Sequence, residues 1–115
     1  MKPLVHLICD LECKGLGKIT PVKYLEFTDS LVEFLELKVV HQHWNVFSNG
    51  SKFGPGILVI LLLSESHLTL HTVPERKTLN LDIFSCKPFN EDVVYHMTRQ
   101  MFEPIQYIQW RLLSR

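Results

Sequence analysis

The stretch that decides the fold reads SESHLTLHTVPE, residues 64–75, and it follows the apolar run ILVILLL at residues 57–63. Apolar and polar residues alternate in it, which predicts a β-strand with His67 and His71 on the same face. A turn at the proline and a second alternating segment, residues 79–86, come next. We therefore expect a buried strand that leads into a β-hairpin.

The hairpin is predicted to bring reactive side chains together. Ser66 and Cys86 lie at similar distances from the turn, so antiparallel pairing places one near the other. Asp82 and Phe84 share the cysteine's side of the second strand. A serine, a histidine and a cysteine are therefore expected to converge, which is more chemistry than a sheet requires.

These residues carry a family resemblance. Glu-Ser-His-x-x-x-His-Thr-x-Pro-Glu, followed by Asp-x-Phe-x-Cys with the cysteine twenty residues after the serine, resembles the small prokaryotic S-adenosylmethionine decarboxylase proenzymes. His6, Leu7, Asp10 and Cys13 resemble the opening strand of that family. The combined spacing is far more specific than any of its parts.

The resemblance implies that the chain cleaves itself between Glu65 and Ser66. The products would be residues 1–65 and 66–115, with Ser66 converted to a pyruvoyl group that serves as the cofactor. His71 matches the histidine implicated in the proton transfers of processing. Cys86 matches the residue that reprotonates the substrate carbon after decarboxylation.

The resemblance also implies substrate-binding residues and a partner. Glu75 matches the carboxylate that binds the ribose hydroxyls of S-adenosylmethionine, and Trp44 or Phe47 matches an aromatic that stacks on the adenine. Protomers of the family associate in pairs, so we expect a homodimer. The activity implied makes the aminopropyl donor for polyamine synthesis.

Two segments depart from the family pattern and leave alternatives open. Gly54-Pro55-Gly56 stands where the family usually has Gly-x-Ser-Gly with a serine that assists processing, and Ser51 is one possible substitute. Residues 73–77, VPERK, replace the usual Trp-Pro-Glu-Tyr-Gly. The alternatives are a pyruvoyl-dependent decarboxylase of ornithine or arginine, and a binding or regulatory homologue that never cleaves.

Composition limits the class of protein. The 115 residues are 46% hydrophobic and suit one domain over residues 1–115. Twelve basic and twelve acidic residues give zero net charge, which argues against nucleic acid as a partner. No apolar run has the roughly 20 residues that a membrane helix needs, and an odd count of three cysteines suits a reducing cytoplasm. We expect a cytoplasmic protein with a small-molecule substrate.

The remaining segments predict an α+β fold, a two-layer sandwich in which two helices cover one face of an antiparallel sheet of five or six strands. Thr20-Pro21 predicts a helix start, with an apolar face of Tyr24, Phe27, Leu31, Phe34 and Leu35. A second helix is expected from Asn90 to Pro104, with an apolar face of Val93, Val94, Met97 and Met101. Strands are expected at residues 3–12, 37–47 and 105–112.

Two further features have ordinary explanations. His41 and His43 share one side of a predicted strand, but no carboxylate or cysteine accompanies them at ligand spacing, so we expect no metal site. Tyr107 and Trp110 in the last strand are expected to form an exposed aromatic patch that a second protomer covers.

Overall fold

A computed structural model describes residues 4–48 and 54–115 of the chain. The elements that it contains are β1 (Val5–Glu12), α1 (Pro21–Phe34), β2 (Val39–Phe47), β3 (Gly56–Leu63), β4 (His67–Val73), β5 (Thr78–Ser85), α2 (Glu91–Phe102) and β6 (Gln106–Ser114). Short 3₁₀ turns span Leu16–Lys18 and Pro74–Arg76. The first residue of the predicted strand 3–12, and residues 49–53 of the loop before β3, lie outside the described ranges.

The strands form one sheet in the order β2-β3-β4-β5-β1-β6. Neighbouring strands all pair antiparallel. Strands β3, β4 and β5 form a meander in the middle of the sheet, so the predicted hairpin is confirmed. The α+β prediction is confirmed as well, with six strands.

One face of the sheet is buried beneath the helices, and we call the opposite one the open face. Alternate residues of each central strand point into the core, as Leu68 and Leu70 of β4 do with no exposed area. β3 was expected to be a buried strand because it is continuously apolar, and the structure buries only one of its two faces. Its Ile60 and Leu62 are 39% and 52% exposed, since neither α1 nor α2 covers the open face.

Helix α1 begins as its sequence predicts. The Thr20 hydroxyl accepts a hydrogen bond from the Lys23 backbone N–H at 3.3 Å, and Pro21 is the first helical residue. Four residues of the predicted face are buried as expected: Tyr24, Phe27, Leu31 and Leu35. Thr28 and Val32 are buried beside them, whereas Phe34 is 68% exposed. Phe34 is the last residue of the helix, and Leu35 after it is buried instead.

Helix α2 is capped by Asn90, whose side chain accepts from the Asp92 backbone N–H at 2.9 Å. Its innermost residues are Val94, Thr98 and Phe102, one helical position away from part of the predicted face. Phe102 packs on Phe27 of α1 with ring centroids 4.8 Å apart. The two helices therefore form a joint layer over the sheet.

A bulge in β6 overturns the predicted aromatic patch. The pairing with β1 shifts between Asp10↔Gln109 and Leu11↔Tyr107, which places Tyr107 and Trp110 on the helix side together. Both rings contact Tyr95 of α2. Trp110 Nε1 also donates a hydrogen bond to Glu91 at 2.8 Å, so α2 rather than a second protomer covers these aromatics.

Candidate active site at the β3–β4 turn

The turn between β3 and β4 presents the Glu65–Ser66 bond at one end of the sheet. Hydrogen bonds hold both sides of this turn. The Leu63 backbone N–H donates to the Ser66 carbonyl at 2.9 Å, and the Ser64 N–H donates to the Lys38 carbonyl at 2.9 Å. Glu65 itself is exposed. The peptide bond is therefore fixed in position and accessible.

Cys86 meets this bond from β5. Its backbone N–H donates to Ser66 Oγ at 3.4 Å, and its thiol donates to the Glu65 carbonyl oxygen at 2.8 Å. The strand register explains the contact. His67 pairs with Phe84, so the residues just before His67 lie opposite the residues just after Phe84. The predicted convergence of the serine and the cysteine is confirmed.

Ser85 holds the segment after β5 in place. This buried hydroxyl donates to the Lys87 carbonyl at 2.7 Å and accepts from the Lys87 N–H at 3.1 Å. Lys87 Nζ donates to the Glu36 carbonyl at 2.6 Å, just beyond α1. Neither Ser85 nor Lys87 was singled out from the sequence, although Ser85 lies inside the motif that predicted Cys86.

A cavity of about 280 Å³ lies over the Glu65–Ser66 bond. It is lined by residues that follow α1, residues of the β3–β4 turn and residues that follow β5: Glu36, Leu37, Lys38, Leu63, Ser64, Glu65, Ser66, Cys86 and Lys87. Two acidic and two basic side chains line it. The cavity is charged but balanced.

His71 does not reach this cavity. It lies five residues beyond Ser66 along β4, which is about 17 Å on an extended strand. It pairs with Leu58 and Asn80, and its ring contacts Phe47 edge to face with centroids 6.2 Å apart. The histidine near the turn is His67, which stacks on Phe84 at 5.3 Å.

The open face beside the turn carries a polar and aromatic cluster around Phe84. His6 contacts the ring edge to face at 6.0 Å, and the Arg115 guanidinium lies 5.1 Å from its centroid. His6 Nε2 is 3.5 Å from Asp82 Oδ1. Asp82 and Phe84 thus share a face as expected, whereas Cys86 follows the end of the strand.

The predicted substrate-binding residues are spread over the molecule. Glu75 lies past the far end of β4, and its carboxylate packs against the backbone of Gly54, which has a φ of 77°. Phe47 is on the open face beside His71, whereas Trp44 is opposite Val59 on the helix side. Ser51, the possible substitute for the processing serine, lies outside the described residues.

The described residues contain neither a metal-ligand cluster nor a membrane-spanning helix. Within residues 4–48 and 54–115, no three His, Cys, Asp or Glu side chains are grouped so that they could hold a metal ion. In the same ranges, neither helix is long and apolar enough to cross a membrane.

Comparisons with known proteins show a consistent family likeness. The sequence profile described as S-adenosylmethionine decarboxylase matches residues 5–115. An S-adenosylmethionine decarboxylase proenzyme of Clostridium botulinum is 34% identical over 83 residues, which cover 70% of this chain and 66% of that protein. One of Geobacillus sp. is 31% identical over 85 residues, covering 70% and 62%.

A solved structure shares the fold. The adenosylmethionine decarboxylase of Aquifex aeolicus superposes with a TM-score of 0.81 at 21% identity, covering 99% of this chain and 91% of that one. The profile match extends over nearly the whole chain. The chain belongs to the S-adenosylmethionine decarboxylase family.

Proposed function

We propose that the protein is a self-processing, pyruvoyl-dependent decarboxylase of S-adenosylmethionine. Membership of the family supports the reaction and the substrate. The observation that carries the proposal is the contact of Ser66 and Cys86 at one peptide bond, with the Cys86 thiol 2.8 Å from the Glu65 carbonyl oxygen. Decarboxylation of S-adenosylmethionine would supply an aminopropyl donor for polyamine synthesis.

The first reaction is cleavage of the chain. Ser66 Oγ adds to the Glu65 carbonyl carbon, the C–N bond breaks, and the serine proton passes to the freed amine, which leaves an ester. A general base then removes the Ser66 Cα proton, and the Oγ–Cβ bond breaks with the Glu65 carboxylate as leaving group. Addition of water and loss of ammonia at residue 66 complete the change to a pyruvoyl group.

Cys86 serves this cleavage through its thiol. The S–H group donates to the oxygen that gains negative charge when Ser66 adds to the carbonyl, and a donor placed in advance lowers the barrier to such a step. The Cys86 N–H holds Ser66 Oγ beside the same bond. Both contacts come from the residue that follows β5, so the register of the hairpin sets the geometry.

The same residues fit the decarboxylation. A pyruvoyl group binds the substrate amine covalently and accepts the electrons released with carbon dioxide. Cys86 lies beside position 66 in the same cavity, where its thiol can return a proton to the substrate carbon. Cys86 is a free thiol, and we propose that the enzyme acts in the reducing cytoplasm.

We propose further that the site is completed by a second copy of the chain. Ser66 and His71 are about 17 Å apart along β4, and Glu75 is farther still. Packing of two open faces would cover the exposed Ile60 and Leu62 and bring His71 and Glu75 of the partner subunit toward Ser66. In this arrangement, the general base for processing and the ribose-binding carboxylate come from the partner.

The test of this function is the intact mass of the purified protein. We expect two fragments, residues 1–65 and a pyruvoyl-blocked 66–115, with Ser66→Ala remaining whole. The cleaved protein should release carbon dioxide from S-adenosylmethionine and not from ornithine or arginine. Full-length protein after long incubation would favour the non-processing homologue. Release of carbon dioxide from ornithine or arginine would show that the substrate is one of these amino acids and not S-adenosylmethionine.

A further inference from the structure

Lys87 carries a positive charge into the cavity above the scissile bond. Its ammonium donates to the Glu36 carbonyl at 2.6 Å, and Lys87 lines the cavity together with Glu65 and Ser66. An ammonium group has three donors. One is used by Glu36, so two remain for another acceptor in the cavity.

The position of Lys87 is set by the main chain as well as by its side chain. Two hydrogen bonds to the buried Ser85 fix its backbone directly after Cys86. The Cys86 thiol is already 2.8 Å from the Glu65 carbonyl oxygen. Lys87 is therefore held next to the residue that touches the scissile carbonyl.

Self-cleavage would change the charge of this cavity. Before cleavage, Glu36 and Glu65 are balanced by Lys38 and Lys87. When the ester eliminates, the main-chain carboxyl of Glu65 becomes a carboxylate and adds a negative charge at the same place. A charge-assisted hydrogen bond from an ammonium is a strong partner for such a group.

We propose that Lys87 stabilises the Glu65 main-chain carboxylate as it leaves, an inference that rests on the proposed self-cleavage. A general base takes the Cα proton of residue 66, its electrons form the Cα=Cβ bond, and the Oγ–Cβ pair departs with the carboxylate. Lys87 receives that carboxylate and keeps its own proton. It acts on the elimination and not on the formation of the ester.

The experiment compares Lys87→Met with Lys87→Arg and a matched control, Lys14→Met. Lys14 is exposed and follows β1 at the opposite end of the sheet from Lys87. Freshly purified proteins are incubated with and without hydroxylamine, which traps an ester at Glu65 as a hydroxamate. Intact mass measures full-length chain, free-acid fragment and hydroxamate fragment over time.

We expect Lys87→Met to accumulate the ester and to eliminate roughly ten- to a hundredfold more slowly, as loss of a hydrogen bond to a charged group predicts. Lys87→Arg should recover most of the rate, and Lys14→Met should match the wild type. A purely structural role would lower the melting temperature without accumulation of ester. Lys87→Gln replaces Lys87→Met if the latter does not fold.

Two results would overturn the inference, and they differ. If wild type and Lys87→Met cleave at the same rate with equal hydroxamate, the role of Lys87 is wrong while self-cleavage stands. If the wild type remains whole and hydroxylamine traps nothing, the proposed self-cleavage fails and the role of Lys87 fails with it.

Discussion

Glu65 contributes the carbonyl oxygen around which the site is arranged. One donor, the Cys86 thiol, touches this oxygen at 2.8 Å, and the candidate nucleophile lies on the next residue. In the proposed function, a thiol at this point serves two reactions, because the same group that polarises the carbonyl before cleavage can deliver a proton to a substrate carbon afterwards. At the scale of single residues, the proposed chemistry of Cys86 therefore rests on one hydrogen bond.

Replacement of Cys86 tests that hydrogen bond. We expect Cys86→Ala to slow self-cleavage by about tenfold or more, because a donor to the developing oxyanion is lost. Cys86→Ser keeps a hydroxyl donor and should cleave faster than the alanine variant. Intact mass over time gives both rates, and cleavage of Cys86→Ala at the wild-type rate would refute the role.

The buried thiol of Cys13 makes the stability of the core depend on pH. Burial, and next the negative charge of Glu12, raise the pKa of this thiol from 9.0 to about 11. The folded state favours the neutral thiol, so its stabilising contribution is complete below pH 9 and is lost as pH rises toward 11. The loss amounts to roughly 2 to 3 kcal/mol over that interval.

The measurement is urea unfolding between pH 7.5 and 10.5 in a Ser66→Ala background, which keeps each chain whole. We expect Cys13→Ala to be less stable at pH 7.5 but to lose stability with pH less steeply, by about 1.4 kcal/mol per pH unit. Equal slopes for the two proteins would show that Cys13 does not titrate differently in the folded state.

The start of β3 packs closely against the end of β4. Ile57 donates its backbone N–H to the Thr72 hydroxyl at 3.0 Å, which ties β3 to the end of β4. A Cβ added to Gly56 would lie 2.3 Å from the Thr72 carbonyl oxygen. The two strands can approach this closely only because residue 56 has no side chain.

We expect Gly56→Ala to destabilise the fold by about 2 kcal/mol or more, since backbone must move to admit the methyl group. Gly17→Ala is the control, because its added Cβ meets only the Pro74 Cβ at 3.7 Å, an ordinary contact. Thermal melting of both in the Ser66→Ala background measures the difference. Equal melting temperatures would contradict the close approach.

At the scale of the whole molecule, the proposed dimer explains how distant residues act together. If His71 serves the Ser66 of its partner, two inactive variants should complement each other. We expect a His71→Ala chain, which stays whole alone, to be cleaved after exchange of subunits with Ser66→Ala. Sedimentation should show dimers, and labelled chains identify which one is cut.

In the control, the His71→Ala chain is mixed with a chain that carries both Ser66→Ala and His71→Ala. Neither chain in this mixture has His71. No cleavage is expected there. If His71→Ala is cleaved equally in both mixtures or in neither, His71 does not act across an interface. Cleavage of His71→Ala alone would remove this residue from processing altogether.

Local patterns were sufficient to predict most elements and half of the site. The alternation of apolar and polar residues predicted which side chains of β4 and β5 share a face. Ser66 and Cys86 are similarly far along the chain from the proline turn, which predicted that they lie together. The caps at Thr20 and Asn90 were predicted for the same reason, since each depends on neighbouring residues alone. Side-chain chemistry at that spacing also carried the family resemblance.

Only the tertiary structure decided what depends on distant contacts. The apolar pattern of β3 does not reveal that helices cover a single face, and a bulge in the β1–β6 pairing put Tyr107 and Trp110 on the helix side together. The hydrogen bond from Lys87 to the Glu36 carbonyl joins residues 51 positions apart. Such contacts arise from packing of the whole chain, and the spacing of apolar residues within one segment carries no information about them.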